Sequence, residues 1–195
     1  MRGMDAIDLM RSLRAVRRYA DRPIPPAAMR DILDVARWTG SAKNRQPWEL
    51  VIVTDRAVLG ELATLGQYAG HLAGAACVIA LVLDDSRGAP WFDEGRLAQS
   101  LMLAAWAHGV GSCIGSIFPL DNIVRAKELL GIPEGLVFHT AIAFGFPADA
   151  AATRLSAGAP PEVLAEVRPG RKDDAAFVSW ERYGQREPAA DGSPS

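Results

Sequence analysis

At 195 residues, 49% apolar and 23% charged, the chain has the size and composition of one ordinary globular domain. A formal net charge of −2 gives no global reason to bind nucleic acid or an anionic membrane. The longest uncharged apolar stretch, residues 69–83, falls short of the ~20 residues a membrane helix needs. Cys77 and Cys113 lie far apart, and His71, His108 and His139 have no metal-ligand spacing, so neither a disulfide framework nor a metal site is expected. The N-terminus lacks the apolar core of a secretory signal, and Asp5 and Asp8 argue against a transit peptide. A cytoplasmic location is expected.

In chain order, residues 5–13 read as a short helix capped by Asp5, followed by an arginine-rich segment. A helix over 26–38 begins at Pro26 and ends before Gly40, with Met29, Ile32, Leu33 and Ala36 at helical spacing. The polar loop 41–47 leads to a strand over 49–54, and Leu59, Leu62 and Leu65 mark a further helix. Residues 75–83 read as a fully buried strand, and 93–108 as a long, Ala-rich helix ended by Gly109. Strands are expected over 112–117 and 137–144, separated by a helix capped by Asp121 and stopped at Gly131. Residues 177–180 look strand-like within an irregular C-terminal segment.

Helices and strands interleave without a regular βαβ order. This predicts an α+β fold with a mixed central sheet flanked by helices. A single domain over 1–187 and a disordered tail over 188–195 follow. Phosphate-loop and nucleophile-elbow motifs are absent from the sequence. Gly109-Val110-Gly111-Ser112-Cys113-Ile114-Gly115 is one residue too long for a dinucleotide fingerprint and lies between a helix and a strand, the reverse of the required order.

Three segments carry candidate chemistry. Arg11, Arg14, Arg17, Arg18 and Arg22 crowd into residues 11–22; guanidinium forks suit phosphate, and a solvated arginine face fits the same pattern. Asn44 and Gln46 in loop 41–48 each offer a donor and an acceptor, whether for a ring edge or for a surface turn. Small residues at 109, 111, 112, 115 and 116 permit close backbone approach to a flat ligand, and equally tight helix–strand packing.

Taken together, Leu13-Arg14-Ala15-Val16-Arg17-Arg18-Tyr19, Asn44-Arg45-Gln46-Pro47-Trp48, residues 98–105 with 109–115, residues 131–147, and Arg171-Lys172 before Trp180-Glu181-Arg182-Tyr183 resemble the nitroreductase-type FMN flavoenzyme family over roughly residues 5–184. The resemblance implies a nitroreductase-like dimeric fold with two FMN molecules at the subunit interface. It assigns Arg14, Arg17, Arg171 and Lys172 to the phosphate and the pyrimidine side of the ring. Ser41, Asn44 and Gln46 fall on the ring or ribityl chain, with Ser41 reaching it from the other subunit. Ile114, Gly115 and Ser116 lie along the flavin. Departures from the family pattern are Leu13 and Ala15, where an arginine and a serine are common, leaving Arg18 or Arg168 to compensate. Ser100 stands where asparagine is common, and Asp173-Asp174 where Pro-Leu is common.

The implied activity is transfer of hydride from NADH or NADPH to FMN and on to a small oxidant, such as a nitroaromatic or a quinone, by a ping-pong mechanism. No Ser-His-Asp or paired-carboxylate arrangement is visible, and no obligatory side-chain acid or base is expected. Two alternatives stay open: a specialised branch (dehydrogenase, dehalogenase or flavin-fragmenting enzyme), and a non-enzymatic flavin sensor.

Overall fold

The computed structural model describes residues 5–149, 172 and 174–186, which fall into two units, residues 1–159 and 160–195. The first unit contains α1 (Ala6–Ser12), α2 (Pro26–Arg37), a 3-10 turn (Ala42–Asn44), β1 (Trp48–Val53) and α3 (Arg56–Thr64). A second 3-10 segment (Gly70–Gly74), β2 (Cys77–Leu83), α4 (Trp91–Ala107), β3 (Gly111–Ser116), α5 (Leu120–Leu130) and β4 (Val137–Gly145) follow.

The strands form one sheet in the order β1-β2-β4-β3, and every ladder in it is antiparallel. The parallel component comes from a single bridge at the β3 edge, between Ala15 and Ser112. Between β1 and β4, β2 is buried along all seven residues, which is why Cys-Val-Ile-Ala-Leu-Val-Leu reads as a continuous apolar run without alternation. On one face, Ile32 and Ala36 of α2 and Leu97, Leu101 and Ala105 of α4 pack on Ile79, Leu81, Ile142 and Phe144. On the other, Leu59, Leu62, Leu72 and Ala126 pack on Val78, Ala80, Val82, Ala141 and Ala143. Each fully buried leucine or isoleucine contributes ~1.5–3 kcal/mol. His139 is the extra residue where the β2–β4 register shifts, Thr140 facing Leu81 and Phe138 facing Val82.

Local chemistry explains the helix boundaries. Asp5 Oδ1 accepts from Ile7 N, capping α1 as expected. Pro26 opens α2, and Gly131, at φ +66°, stops α5. Asp121 differs from expectation. Pro119 occupies the cap position without a side-chain bond, and Asp121 sits inside the first turn, where its charge favours the helix dipole. Among the described residues, no helix is long and apolar enough to cross a membrane.

In the second unit, α6 (Asp174–Phe177) is one helical turn. The strand-like reading of residues 177–180 is therefore corrected. Phe177 ends the turn, and the chain doubles back so that Trp180 N donates to Gln185 O at 2.7 Å, with Glu181 at φ +59° and Gly184 at φ +86°. Gly184 N and Arg186 Nη1 donate to Ser179 Oγ. The expected tail 188–195 lies outside the described residues.

Candidate functional site

The arginine segment is held by both of its ends. Trp106 Nε1 donates to the buried Ser12 Oγ at 3.0 Å, fastening the end of α1 to α4. From there the chain runs beside β3, where Val16 N donates to Ser112 O at 2.9 Å. It then crosses to the end of β4, where Ala20 N donates to Phe146 O and Tyr19 bridges to Pro147. Gly145 makes room for this crossing, since a Cβ there would lie 2.8 Å from the Tyr19 ring.

Between this segment, β3 and α4 lies a cleft of about 320 Å³, lined by Leu13, Arg14, Ala15, Arg17, Met102, Ser112, Cys113 and Ile114. Arg14 Nη1 donates to the carbonyls of Arg11 and Leu13, both at 2.7 Å, so its side chain folds over the end of α1. Burial pushes the Cys113 thiol up from its ordinary range, and the Arg17 guanidinium hydrogen-bonded to it opposes that shift. The Tyr19 hydroxyl is raised by burial first and by Cys113 next, with Arg17 again opposing. Ser112 is buried, and among the described residues its Oγ has no hydrogen-bond partner. Ile114, 44% exposed, and Met102 supply apolar surface.

Of the sequence-predicted residues, the cleft gathers Arg14, Arg17 and Ile114. Gly115 and Ser116 lie farther along β3 and do not line it; Ser116 is exposed, while the missing side chain of Gly115 faces Leu72, whose nearest atom would be 3.2 Å from a Cβ. Arg18 pairs with Asp149 instead of lining the cleft. Lys172 is exposed in the second unit, and Arg168 and Arg171 lie outside the described residues.

Ser41, Asn44 and Gln46 form a separate constellation. Ala42 N donates to the buried Asp93 Oδ2 at 3.1 Å, tying the loop to the start of α4. Gln46 N donates to Ser41 Oγ at 2.8 Å, and Gln46 Nε2 to Asn44 Oδ1 at 3.3 Å. Lys43, Asn44 and Gln46 all have positive φ, at 54°, 54° and 48°. Three such residues cost on the order of 1–3 kcal/mol each and persist only where the surroundings impose them.

Ser112 and Met102 line the cleft without a sequence signal that marks them as site residues. Met102 follows the buried stripe residue Leu101, so its place beside the segment leaves no periodic signal. In the sequence Ser112 stands out only as a small residue, because nothing local pairs it with Ala15.

Two guanidinium-bearing residues, an unpartnered buried hydroxyl and an apolar wall suit a flat ligand that ends in an anion. A helix-sheathed sheet carrying such a cleft at its edge defines the class, an α+β ligand-binding protein. More particularly, the chain belongs to the nitroreductase family, whose model matches residues 10–70 and 66–146. A relative in Methanothermobacter thermautotrophicus, under the provisional name NADH dehydrogenase/NAD(P)H nitroreductase, is 30% identical over 77% of this chain and 82% of its own. A Bacteroides thetaiotaomicron structure with the same provisional name superposes with a TM-score of 0.76 at 26% identity, over 91% of this chain and 98% of the other. The Vibrio harveyi NADPH:FMN oxidoreductase, solved with NAD+, superposes at 0.65 and 25% identity over 73% and 69%.

Proposed function

We propose that the chain is an FMN-dependent oxidoreductase that takes hydride from NADH or NADPH and passes it to a small oxidant, a nitroaromatic or a quinone, in a ping-pong cycle. The observation that carries this reading is the meeting of Arg14 and Arg17 with Ile114, far away in sequence, around one cleft. The names of the Vibrio and Methanothermobacter proteins point the same way. When bound, FMN supplies the hydride-accepting chemistry, and the chain supplies binding, orientation and charge. Arg14 would hold the anionic end of the ligand, Arg17 would place a fixed cation toward its ring, and Ile114 and Met102 would exclude water from one side.

The reading includes a homodimer. Ser41, Asn44 and Gln46 do not line the cleft of their own subunit, and a second copy is their route to a cofactor. Exposed Trp38, Trp91, Phe92 and Leu120 supply apolar surface for such an association. Light scattering should give twice the 20.9 kDa chain mass; a monomer that holds FMN fully removes the dimer from the proposal. Anaerobic mixing of the yellow protein with NADH or NADPH should bleach the flavin, and parallel double-reciprocal lines should follow with an oxidant. No bleaching by either nicotinamide refutes the oxidoreductase reading.

A further inference from the structure

Two side chains hold a buried polar atom without a partner among the described residues, Glu94 Oε1 and Ser112 Oγ. The Glu94 carboxylate has its other oxygen 3.8 Å from His139 Nε2, and it does not line the cleft. Ser112 differs on both counts. It lines the cleft together with Arg14 and Arg17, it is 1% exposed, and its hydroxyl has no partner among the described residues. A buried hydroxyl left unpaired costs ~1–3 kcal/mol, so its persistence in a cation-rimmed cleft calls for a ligand atom to pair with.

The neighbouring strand narrows what that atom is. Ala15 and Ser112 face each other across the parallel bridge and both line the cleft, but Ala15 offers only a methyl group. Met102, Ile114 and Leu13 are apolar, and Cys113 is at best a weak donor directed to Ile114 O. Ser112 is thus the neutral hydroxyl donor of a cleft lining that also holds two arginines.

Resting on the FMN reading above, we propose that Ser112 is a phosphate-binding residue, its Oγ–H donating to an anionic oxygen of the cofactor. The hydroxyl that position 15 lacks is supplied from the adjacent strand. Donation to a charged acceptor is stronger than to a neutral one, so the contact discriminates FMN from riboflavin, which is uncharged at the same end.

The test is equilibrium binding of FMN and of riboflavin to the flavin-free protein, followed by quenching of flavin fluorescence, for the wild type, Ser112→Ala and Ser112→Cys. Ser112→Ala should bind FMN roughly tenfold more weakly with riboflavin affinity unchanged. Ser112→Cys, which keeps the side-chain shape in a slightly larger group but weakens the donor, should fall between. The melting temperature of flavin-free Ser112→Ala should equal or exceed that of the wild type, because a buried orphan has been removed. Unchanged FMN affinity in both variants, or equal losses for FMN and riboflavin, overturns the phosphate assignment while leaving the enzyme reading intact. A wild-type protein that binds neither flavin overturns both.

Discussion

Gly111 opens β3 directly beneath Val16, and this approach decides where Arg14 and Arg17 sit. A Cβ at position 111 would lie 2.5 Å from Val16 Cγ2, 2.7 Å from its Cβ and 3.1 Å from its Cγ1. Rotating the valine cannot relieve the contact with its own Cβ, so the backbone of the segment must move. Gly111 does not have positive φ, so Gly111→Ala adds a methyl group without backbone strain. Overpacking costs ~1–3 kcal/mol, and replacing a strand glycine returns ~0.5–1, leaving a net loss of up to ~2.5 kcal/mol. The displaced segment carries both arginines away from the cleft, and FMN affinity should fall with stability. Val16→Ala alone removes two buried methyl groups, about 1.6 kcal/mol at ~0.8 each. In the double variant the contacts with Cγ1 and Cγ2 are gone while the Cβ of position 16 stays 2.7 Å away, so the relief is partial and the loss should be smaller than the sum of the singles by ~0.5–1 kcal/mol. Urea denaturation at unchanged slope reads the stabilities, and flavin titration reads the site. Strict additivity in the double variant, or full FMN affinity in Gly111→Ala, refutes the reasoning.

Arg17→Gln should lower the flavin reduction potential by tens of millivolts and slow reduction, because a cation ~4 Å from the anionic reduced ring contributes at most ~4 kcal/mol, and ~1.4 kcal/mol corresponds to ~30 mV for two electrons. A potential equal to wild type, measured by dye equilibration, removes Arg17 from the ring. Burial pushes the Cys77 thiol up to about 12 from its ordinary value near 9, so the folded state keeps a proton that the unfolded chain releases. That stabilisation is complete below pH 9 and is lost between pH 9 and 12, a drop of ~1.4 kcal/mol by pH 10. Urea midpoints of wild type and Cys77→Ala at pH 8 and 10 should show the smaller fall in the variant, and equal falls would exclude Cys77 as the cause.

The layered fold is legible in the sequence wherever local rules act alone. Pro26 and Gly131 bound their helices, Asp5 caps α1, and the unbroken apolar run of β2 announces a strand covered on both faces. The family resemblance adds Arg14, Arg17 and Ile114, which the cleft brings together. Long-range packing is less visible. The small residues of 109–116 read equally as room for a ligand or as packing, and two of them serve packing: Gly111 admits Val16 and Gly115 admits Leu72. Ser112 gains its meaning from Ala15 across the bridge, a partner no periodicity indicates. In loop 41–46 the left-handed conformations fall on Lys43, Asn44 and Gln46, not on a glycine, so the usual marker of such a turn is missing.

The arginine segment is synthesised well before the strand edge that seats it. Ser112 follows Ala15 by 97 residues, and the other anchors, Phe146 and Pro147, come later still. At ~5–20 residues per second, synthesis leaves the segment without its sheet edge for roughly 5 to 20 s, while α2, β1 and β2 emerge. Closing so long a loop also makes the β3 edge a late event in refolding of the full chain. The segment is therefore seated only after the scaffold it docks on.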